Sequence, residues 1–276
     1  MSPTRLLAWN LGRRNDTWRA LLDAGADVAL VSEATAPPKD VASRLSLDPA
    51  PWRTAGRDRA RPFRTAVVPL SPTVQVDWFT TAGIAEAGPD DLAVSRPGTL
   101  AAATITAEGT EPFIAVALYG AWERPHRSTR SSWIVADASV HRLISDMSAL
   151  VGRQGGHRIL AAGDLNILHG HGEEGSTYWA RRYATVFERM DAIGLSFVGP
   201  QFPHGRQAHP WPAELPKDSR NVPTYRSNRM SPDTAVRQLD FVFASSAFAD
   251  SVQTRARNAA DEWSVSDHCP VQIDVR

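Results

Sequence analysis

One cysteine, two lysines and no formal net charge mark what this 276-residue chain does without. The lone Cys269 excludes an internal disulfide framework and suits a reducing compartment. It reads as a small apolar side chain opening the last strand rather than as a reactive thiol. Positive charge is almost entirely arginine, because Lys39 and Lys217 are the only lysines. A zero net charge argues against a strongly basic coat for nonspecific nucleic-acid binding and leaves local patches open. No apolar run is long enough to cross a membrane. The polar start Met1-Ser2-Pro3-Thr4-Arg5 leads into a strand pattern instead of a secretory leader, so a cytoplasmic protein is expected.

What is present is a 42% hydrophobic composition without low-complexity tracts, enough to bury a substantial core. Length alone admits one or two domains. Asp16 to Gly25 reads as a short helix with Asp16 as N-cap and Trp18, Leu21 and Leu22 on one face. Apolar spacing predicts further helices over Ser131 to Leu150 and Thr177 to Ile193, the latter followed by a strand at Leu195-Ser196-Phe197-Val198. Strands joined by Gly and Pro turns are expected between Thr65 and Leu118, among them Ala66-Val67-Val68, Val74 to Trp78 and Thr99 to Thr106. Pro51 to Arg64 and Gly199 to Asn221 lack sustained periodicity and read as long loops, the kind that form functional rims.

The most informative run is Gly163-Asp164-Leu165-Asn166, directly after the apolar stretch Ile159 to Ala162. Residues two apart on a strand point the same way, so an Asp and an Asn leave one strand end together. An acceptor-only carboxylate beside an amide suits an oxygen-rich site for a water, a hard metal and a phosphate. Other short apolar strands end similarly. Leu6 to Trp9 ends in Asn10, Val28 to Val31 in Ser32-Glu33, and Ile114 to Leu118 in Tyr119. Asp240 lies within the strand pattern Gln238 to Phe243, and Ser266-Asp267-His268 precedes the last strand, Pro270 to Val275. In open sheets functional groups gather at strand ends, so these scattered pieces can converge.

With Gly-Asp-Leu-Asn and Ser-Asp-His in this order, and Trp9-Asn10, Ser32-Glu33 and Leu239-Asp240-Phe241 between and before them, the chain resembles the endonuclease/exonuclease/phosphatase family. That family includes deoxyribonuclease I, exonuclease III and the abasic-site endonucleases, sphingomyelinases and inositol-phosphate 5-phosphatases. The likeness runs from Leu6 to Val275 and implies one catalytic domain over residues 1–276. It further implies an α/β fold, a four-layered α-β-β-α sandwich of two packed mixed sheets flanked by helices.

The resemblance also implies roles. Glu33 and Asp267 would hold Mg²⁺, with Mn²⁺ as a substitute, and Asn10 would support the ion or hold a phosphate oxygen. Asp164 would orient or deprotonate the attacking water, and Asn166 would fix that water and the developing phosphorane. Asp240 and His268 form a pair in which the carboxylate sets the tautomer and raises the basicity of the ring. Tyr119 stands where abasic-site endonucleases have a Tyr facing the phosphate. Two departures count against abasic-site specificity and for one metal rather than two. Gly120-Ala121-Trp122 replaces the family's phosphate-contacting Asn run, and Gly12 stands where those enzymes carry an additional acid. His169 and His171, in the Gly-rich stretch Leu168 to Glu174, are read as part of a mobile loop rather than as a second metal site.

For the substrate, Arg53, Arg57, Arg59, Arg61 and Arg64 fall in one loop, and Arg124, Arg127 and Arg130 follow Tyr119 closely. Guanidinium groups grip phosphates bidentately, and Trp52, Trp122 and Trp211 nearby offer stacking faces. Arg57, Arg59, Arg61, Arg127 and Trp122 are therefore the substrate-binding candidates. The leading expectation is a Mg²⁺-dependent phosphodiesterase acting on nucleic acid, a DNA endonuclease or exonuclease. The alternatives are a phosphatase or phosphodiesterase for a small phosphorylated metabolite or lipid headgroup, and a catalytically silent binding protein on the same scaffold.

Overall fold

A computed structural model describes residues 3–54, 61–123, 135–153, 158–263 and 265–276. Period-two burial on both faces of its strands dictates the layering. In strand β1 (Thr4–Asn10), Leu6 and Ala8 face a core shared between two sheets, whereas Leu7 and Trp9 face an outer core. Strand β9 (Ile159–Asp164) repeats this, with Leu160 and Ala162 turned to the shared core and Ile159 and Ala161 turned outward. Strands buried on both faces must be apolar throughout, hence the unbroken hydrophobic runs in the sequence.

The first sheet runs β12 (Val252–Ala256), β13 (Val271–Val275), β1, β2 (Val28–Ala34) and β3 (Arg64–Pro69). The second runs β10 (Leu195–Gly199), β11 (Asp240–Ser245), β9, β8 (Thr110–Tyr119), β7 (Leu100–Ala107) and β4 (Val74–Trp78). A small parallel pair, β5 (Thr81–Gly83) with β6 (Leu92–Val94), stands apart. Each large sheet is mixed, because β1 pairs β2 and β8 pairs β9 in parallel while the other pairs are antiparallel. Helix α1 (Asn15–Leu22) and the short α2 (Lys39–Ala42) cover the outer face of the first sheet through Trp18, Leu21 and Val41. Helices α3 (Asp137–Arg153) and α4 (Thr177–Ala192) cover the second with Val140, Ile144, Met147, Val186 and Met190. The order is helices, sheet, sheet, helices, as the resemblance implied.

Boundaries shift in places. Asp16 does not cap α1: Arg14 occupies that position without a side-chain cap, and Asp16 sits in the first turn, paired with Arg19 at 2.9 Å. Thr17 Oγ1 instead ties the helix start by donating to the Leu11 and Arg14 carbonyls. Helix α3 ends three residues beyond the expected Leu150; the start expected at Ser131 lies outside the described residues. Strand β11 begins at Asp240 rather than Gln238, because the amides of Leu239 and Asp240 both donate to Thr224 Oγ1. Gln238 is drawn off to the Val222 amide and the Pro200 carbonyl.

The stretch around His169 and His171, expected as a mobile loop, is packed. The His169 ring lies 4.4 Å from Phe187 and 4.9 Å from Phe197, with Nδ1 3.2 Å from Asn221 Oδ1. His171 is buried, its Nδ1 3.1 Å from the His169 carbonyl. Aromatic neighbours from α4 and β10 account for this, and sequence spacing does not reveal them.

Candidate active site

Parallel pairing brings β1 and β2 to the same sheet edge, at Asn10 and Ala34, and brings β8 and β9 to another, at Tyr119 and Asp164. The two edges meet across the shared core, where Asn10 Nδ2 donates to Asp164 Oδ2 at 2.9 Å from one sheet to the other. Antiparallel register adds Asp240, the direct partner of Asp164 on β11. Gly120 permits the closeness of β8 and β9 at this end, since a Cβ there would lie 2.2 Å from the Leu165 carbonyl oxygen.

Within this corner a carboxylate, an imidazole and a second carboxylate form a line. Asp240 Oδ2 lies 2.8 Å from His268 Nδ1, and His268 Nε2 lies 3.7 Å from Asp164 Oδ2. All three are buried. Burial alone would pull the His268 pKa down, but the charges of Asp240 and Asp164 outweigh it and raise it to about 10. Burial pushes Asp164 up to about 7, Asp240 and Glu33 adding to the shift while His268 opposes it. Asn166 braces Asp164 twice, its backbone amide donating to Oδ1 at 2.9 Å and its Nδ2 to Oδ2 at 3.0 Å. The same Nδ2 also donates to the Gly120 carbonyl at 3.1 Å. The His268 backbone is pinned by Trp9 Nε1, which donates to its carbonyl at 2.9 Å, and by Ser266 Oγ, which accepts from its amide at 3.1 Å. Such an array can hold a proton at His268 and orient a small polar molecule at Asp164.

Glu33 lies on the other side of Asn10. Its Oε1 accepts from Tyr119 Oη at 3.0 Å and from Asn10 Nδ2 at 3.4 Å. Burial, with the charges of Glu33 and Asp164, holds the Tyr119 phenol far above its ordinary pKa, so it is a donor throughout the usual pH range. Asn10 is engaged through both ends of its amide, Oδ1 accepting from the Gly12 amide at 2.9 Å. Asp267 faces the same space from the opposite loop, with Oδ1 3.4 Å from Ser266 Oγ. Gly12 has a left-handed φ of 57°, and a Cβ there would stand 3.3 Å from Asp267 Oδ1.

Backbone strain concentrates here. Among the described residues, the non-glycine positions with positive φ are Arg13, Glu33, Asn166 and Glu174. Left-handed non-glycine residues each cost on the order of 1–3 kcal/mol and persist where the surrounding structure holds them in place.

Four carboxylates, Glu33, Asp164, Asp240 and Asp267, thus face a region containing His268 and Arg13. Acids in such excess suit a hard cation. One grouping has its ligand atoms gathered, and the sequence nominates another, Glu33 with Asp267. Asp164, Asp240 and His268 have potential ligand atoms within 4.8 Å of one another. However, His268 Nδ1 is already bonded to Asp240 and Asp164 Oδ2 already accepts two amide donors. Glu33 and Asp267 are only part-buried, which leaves room around them for a magnesium-type ion that keeps several waters.

The substrate-binding candidates are less well gathered. Arg57, Arg59 and Arg127 lie outside the described residues. Arg61 is half-buried, its backbone bridged to Thr54, and Trp122 is exposed three residues past Tyr119. Arg64 and Trp52, read from sequence as rim groups, are structural instead. Arg64 is buried on Asp48 at 2.9 Å with its guanidinium 4.0 Å over the Trp52 ring, and Trp52 also meets Trp18 edge-on at 5.8 Å. Sequence reasoning missed two neighbours of the site. Tyr225 meets the His268 ring at a tilt, with centroids 5.0 Å apart, and Arg13 pairs with Glu33 at 3.1 Å. Both sit on irregular backbone with no periodicity to expose them.

No protein-family model matches this sequence, and no curated protein matches it. Solved structures do. The endonuclease domain of TRAS1, a telomere-specific non-LTR retrotransposon, superposes with a TM-score of 0.62 at 16% identity, over 99% of this chain and 98% of that one. The AP endonuclease LMAP from Leishmania major gives 0.62 at 17% identity, over 100% and 88%. The 3′ phosphatase NExo from Neisseria, in a D146N form bound to product DNA hairpin, gives 0.58 at 16% identity, over 99% of each chain. At these identities the likeness is one of fold: the chain has the endonuclease/exonuclease/phosphatase α/β sandwich, along its whole length.

Proposed function

We propose that this protein is a metal-dependent phosphoric ester hydrolase, a single catalytic domain whose leading substrate is nucleic acid, cleaved as a phosphodiester by direct attack of water. The observation that carries this reading is the buried line Asp240, His268, Asp164, braced by Asn10 and Asn166 at the meeting of the two sheets. A structural ion pair needs no such bracing of a second carboxylate. Structural neighbours that are endonucleases or bind a DNA hairpin support the substrate class.

In this reading Asp164 orients the attacking water and takes its proton, and Asn166 steadies both the carboxylate and the charge that develops on phosphorus. Asp240 fixes the orientation of the His268 ring and sustains its charge, so that the proton on Nε2 faces a phosphate oxygen. Tyr119 donates to Glu33 or to a nonbridging oxygen that approaches it. Glu33 and Asp267 would hold Mg²⁺, or Mn²⁺ in its place, with Asn10 supporting Glu33; the ion would supply charge neutralisation on the phosphate. In-line placement of water and phosphate contributes much of the remaining acceleration.

The test is hydrolysis of a panel of duplex DNA, single strands, RNA and small phosphoesters, with and without Mg²⁺. Full activity in excess chelator, or none on any substrate with metal present, defeats the reading. The small-phosphoester alternative has one observation of its own. A cavity of about 490 Å³ lies beside the first residues of β3 and β7, lined by Trp78, Phe79, Pro97 and Leu100 together with Arg53 and Arg64, a mixed lining suited to a compact group with apolar and charged parts. Salt dependence separates the two. For duplex DNA each lost phosphate contact lowers the log-log slope of binding by about 0.9. Replacing Arg57, Arg59 and Arg61 with Ala in an Asp164→Asn background flattens that slope if the loop follows a polynucleotide and leaves it unchanged if the substrate is small.

A further inference from the structure

Arg13 is held at the Glu33 carboxylate by an unusual backbone. Its φ is 62° and that of Glu33 is 45°, both left-handed, and the Arg13 amide donates to the Glu33 carbonyl at 3.0 Å. The side chains then form an ion pair, Nε to Oε2, at 3.1 Å. The guanidinium lies 5.5 Å from the centre of the Phe63 ring, which in turn meets the Tyr119 ring edge-on at 5.9 Å. Arg13 therefore stands beside two of the groups placed in the reaction. Its side chain is 57% exposed while that of Glu33 is 17% exposed, so the cation is largely open to solvent.

The neighbouring arginines are occupied otherwise. Arg14 donates to the Val265 carbonyl and to Asn228 Oδ1, both at 2.7 Å, and Arg226 donates to the Met230 carbonyl at 2.9 Å. These bonds tie loops together. Arg13, by contrast, contacts among the described residues only the Phe63 ring and a carboxylate that a divalent cation would claim. A cation on Glu33 would take up the counter-charge that now holds the guanidinium and free it for another anion, such as a substrate phosphate oxygen.

We infer that Arg13 exchanges partners: it neutralises Glu33 before the metal binds, and it grips a nonbridging oxygen of a phosphoester substrate afterwards. This rests on the hydrolase reading above and assigns the substrate phosphate a protein contact that the sequence motifs did not supply. The planar fork suits the bidentate grip better than an ammonium does.

The inference makes two affinities move in opposite directions. Removing Arg13 removes a competitor for Glu33, and partly exposed ion pairs are worth about 0.2–1 kcal/mol, so Mn²⁺ affinity of Arg13→Ala should rise about 1.4- to 5-fold. Binding of bis(4-nitrophenyl) phosphate to the Mg²⁺-loaded Asp164→Asn protein should fall about tenfold or more when Arg13→Ala is added, because hydrogen bonds to charged groups are the stronger kind. Arg13→Lys should restore Mn²⁺ affinity to the unmodified value and recover only part of the phosphoester affinity. Calorimetric titration reads both, with thermal unfolding to verify each variant. If the unmodified protein binds no Mn²⁺, the hydrolase reading fails and this inference with it. If Mn²⁺ binds but Arg13→Ala leaves phosphoester affinity unchanged, or weakens both affinities together, the assignment of Arg13 alone is overturned.

Discussion

Asp240 and His268 are bonded at 2.8 Å through Oδ2 and Nδ1, although 28 residues separate them in the chain. The other ring nitrogen points to Asp164, so one imidazole links two acids from neighbouring strands. In this protein the imidazole is protected from water and its charge is sustained by the carboxylates.

The first prediction follows from that bond. Asp240→Asn keeps the shape and removes the charge, so turnover should fall by about 10²- to 10⁴-fold, the usual worth of general acid/base groups, with a much smaller change in KM. In the metal-free protein, nuclear magnetic resonance should find His268 still protonated at pH 8 in the unmodified chain, since its pKa is raised to about 10. In Asp240→Asn the titration should move toward the ordinary histidine range. A ring that titrates identically in both proteins would remove Asp240 from this role.

A second prediction concerns the acids at the metal. Glu33→Gln and Asp267→Asn should each weaken Mn²⁺ binding at least about tenfold, because a hard cation loses one of its few protein carboxylates. Thermal stability without metal should barely change in Asp267→Asn, whose side chain makes, among the described residues, only long hydrogen bonds, of 3.4 and 3.5 Å. Unaltered Mn²⁺ titrations in both variants would shift the metal to the Asp164, Asp240 and His268 group.

Gly120 provides a third. Its missing Cβ is what lets the end of β8 approach Leu165, and backbone cannot yield as a side chain does. Gly120→Ala should cost about 1–3 kcal/mol by denaturant unfolding, in line with other overpacked interiors. It should also lower activity, since Asn166 Nδ2 donates to the Gly120 carbonyl. A variant as stable and active as the parent would show that the strands can part here at no cost.

The fourth prediction is a pH dependence of stability. Burial pushes the His169 pKa below its ordinary value, the Asn221 hydrogen bond opposing it only in part. The unfolded chain then binds a proton more readily than the folded one, so stability rises with pH in that window. It should be full above the unfolded value of about 6.5 and decline as the pH falls from there toward the folded pKa. His169→Phe keeps an aromatic ring beside Phe187 and Phe197 and should flatten that part of the pH profile. Parallel profiles for the two proteins in urea would mean that another group carries the slope.

What the sequence determined by itself was everything that depends on neighbours along the chain. Apolar runs such as Ile159 to Ala162 specify strands buried on both faces, and the polar residues just beyond them mark where the chain leaves the sheet. The helix ending before Gly194 was legible for the same reason, its period being local. Order along the chain sufficed to nominate Glu33, Asp164, Asn166, Asp240, Asp267 and His268. Tertiary structure decided what those residues touch. Whether Asn10 meets Asp164 depends on two sheets packing face to face, which no spacing encodes. Arg64 and Trp52 left the supposed rim because burying a guanidinium demands a carboxylate and favours an aromatic face, and Asp48 and the indole provided both. His169 became a packed residue because α4 and β10 brought phenylalanines to it. Arg13 and Tyr225 were invisible in the sequence because irregular backbone carries no period. Only the fold decides which charge or ring such a segment meets.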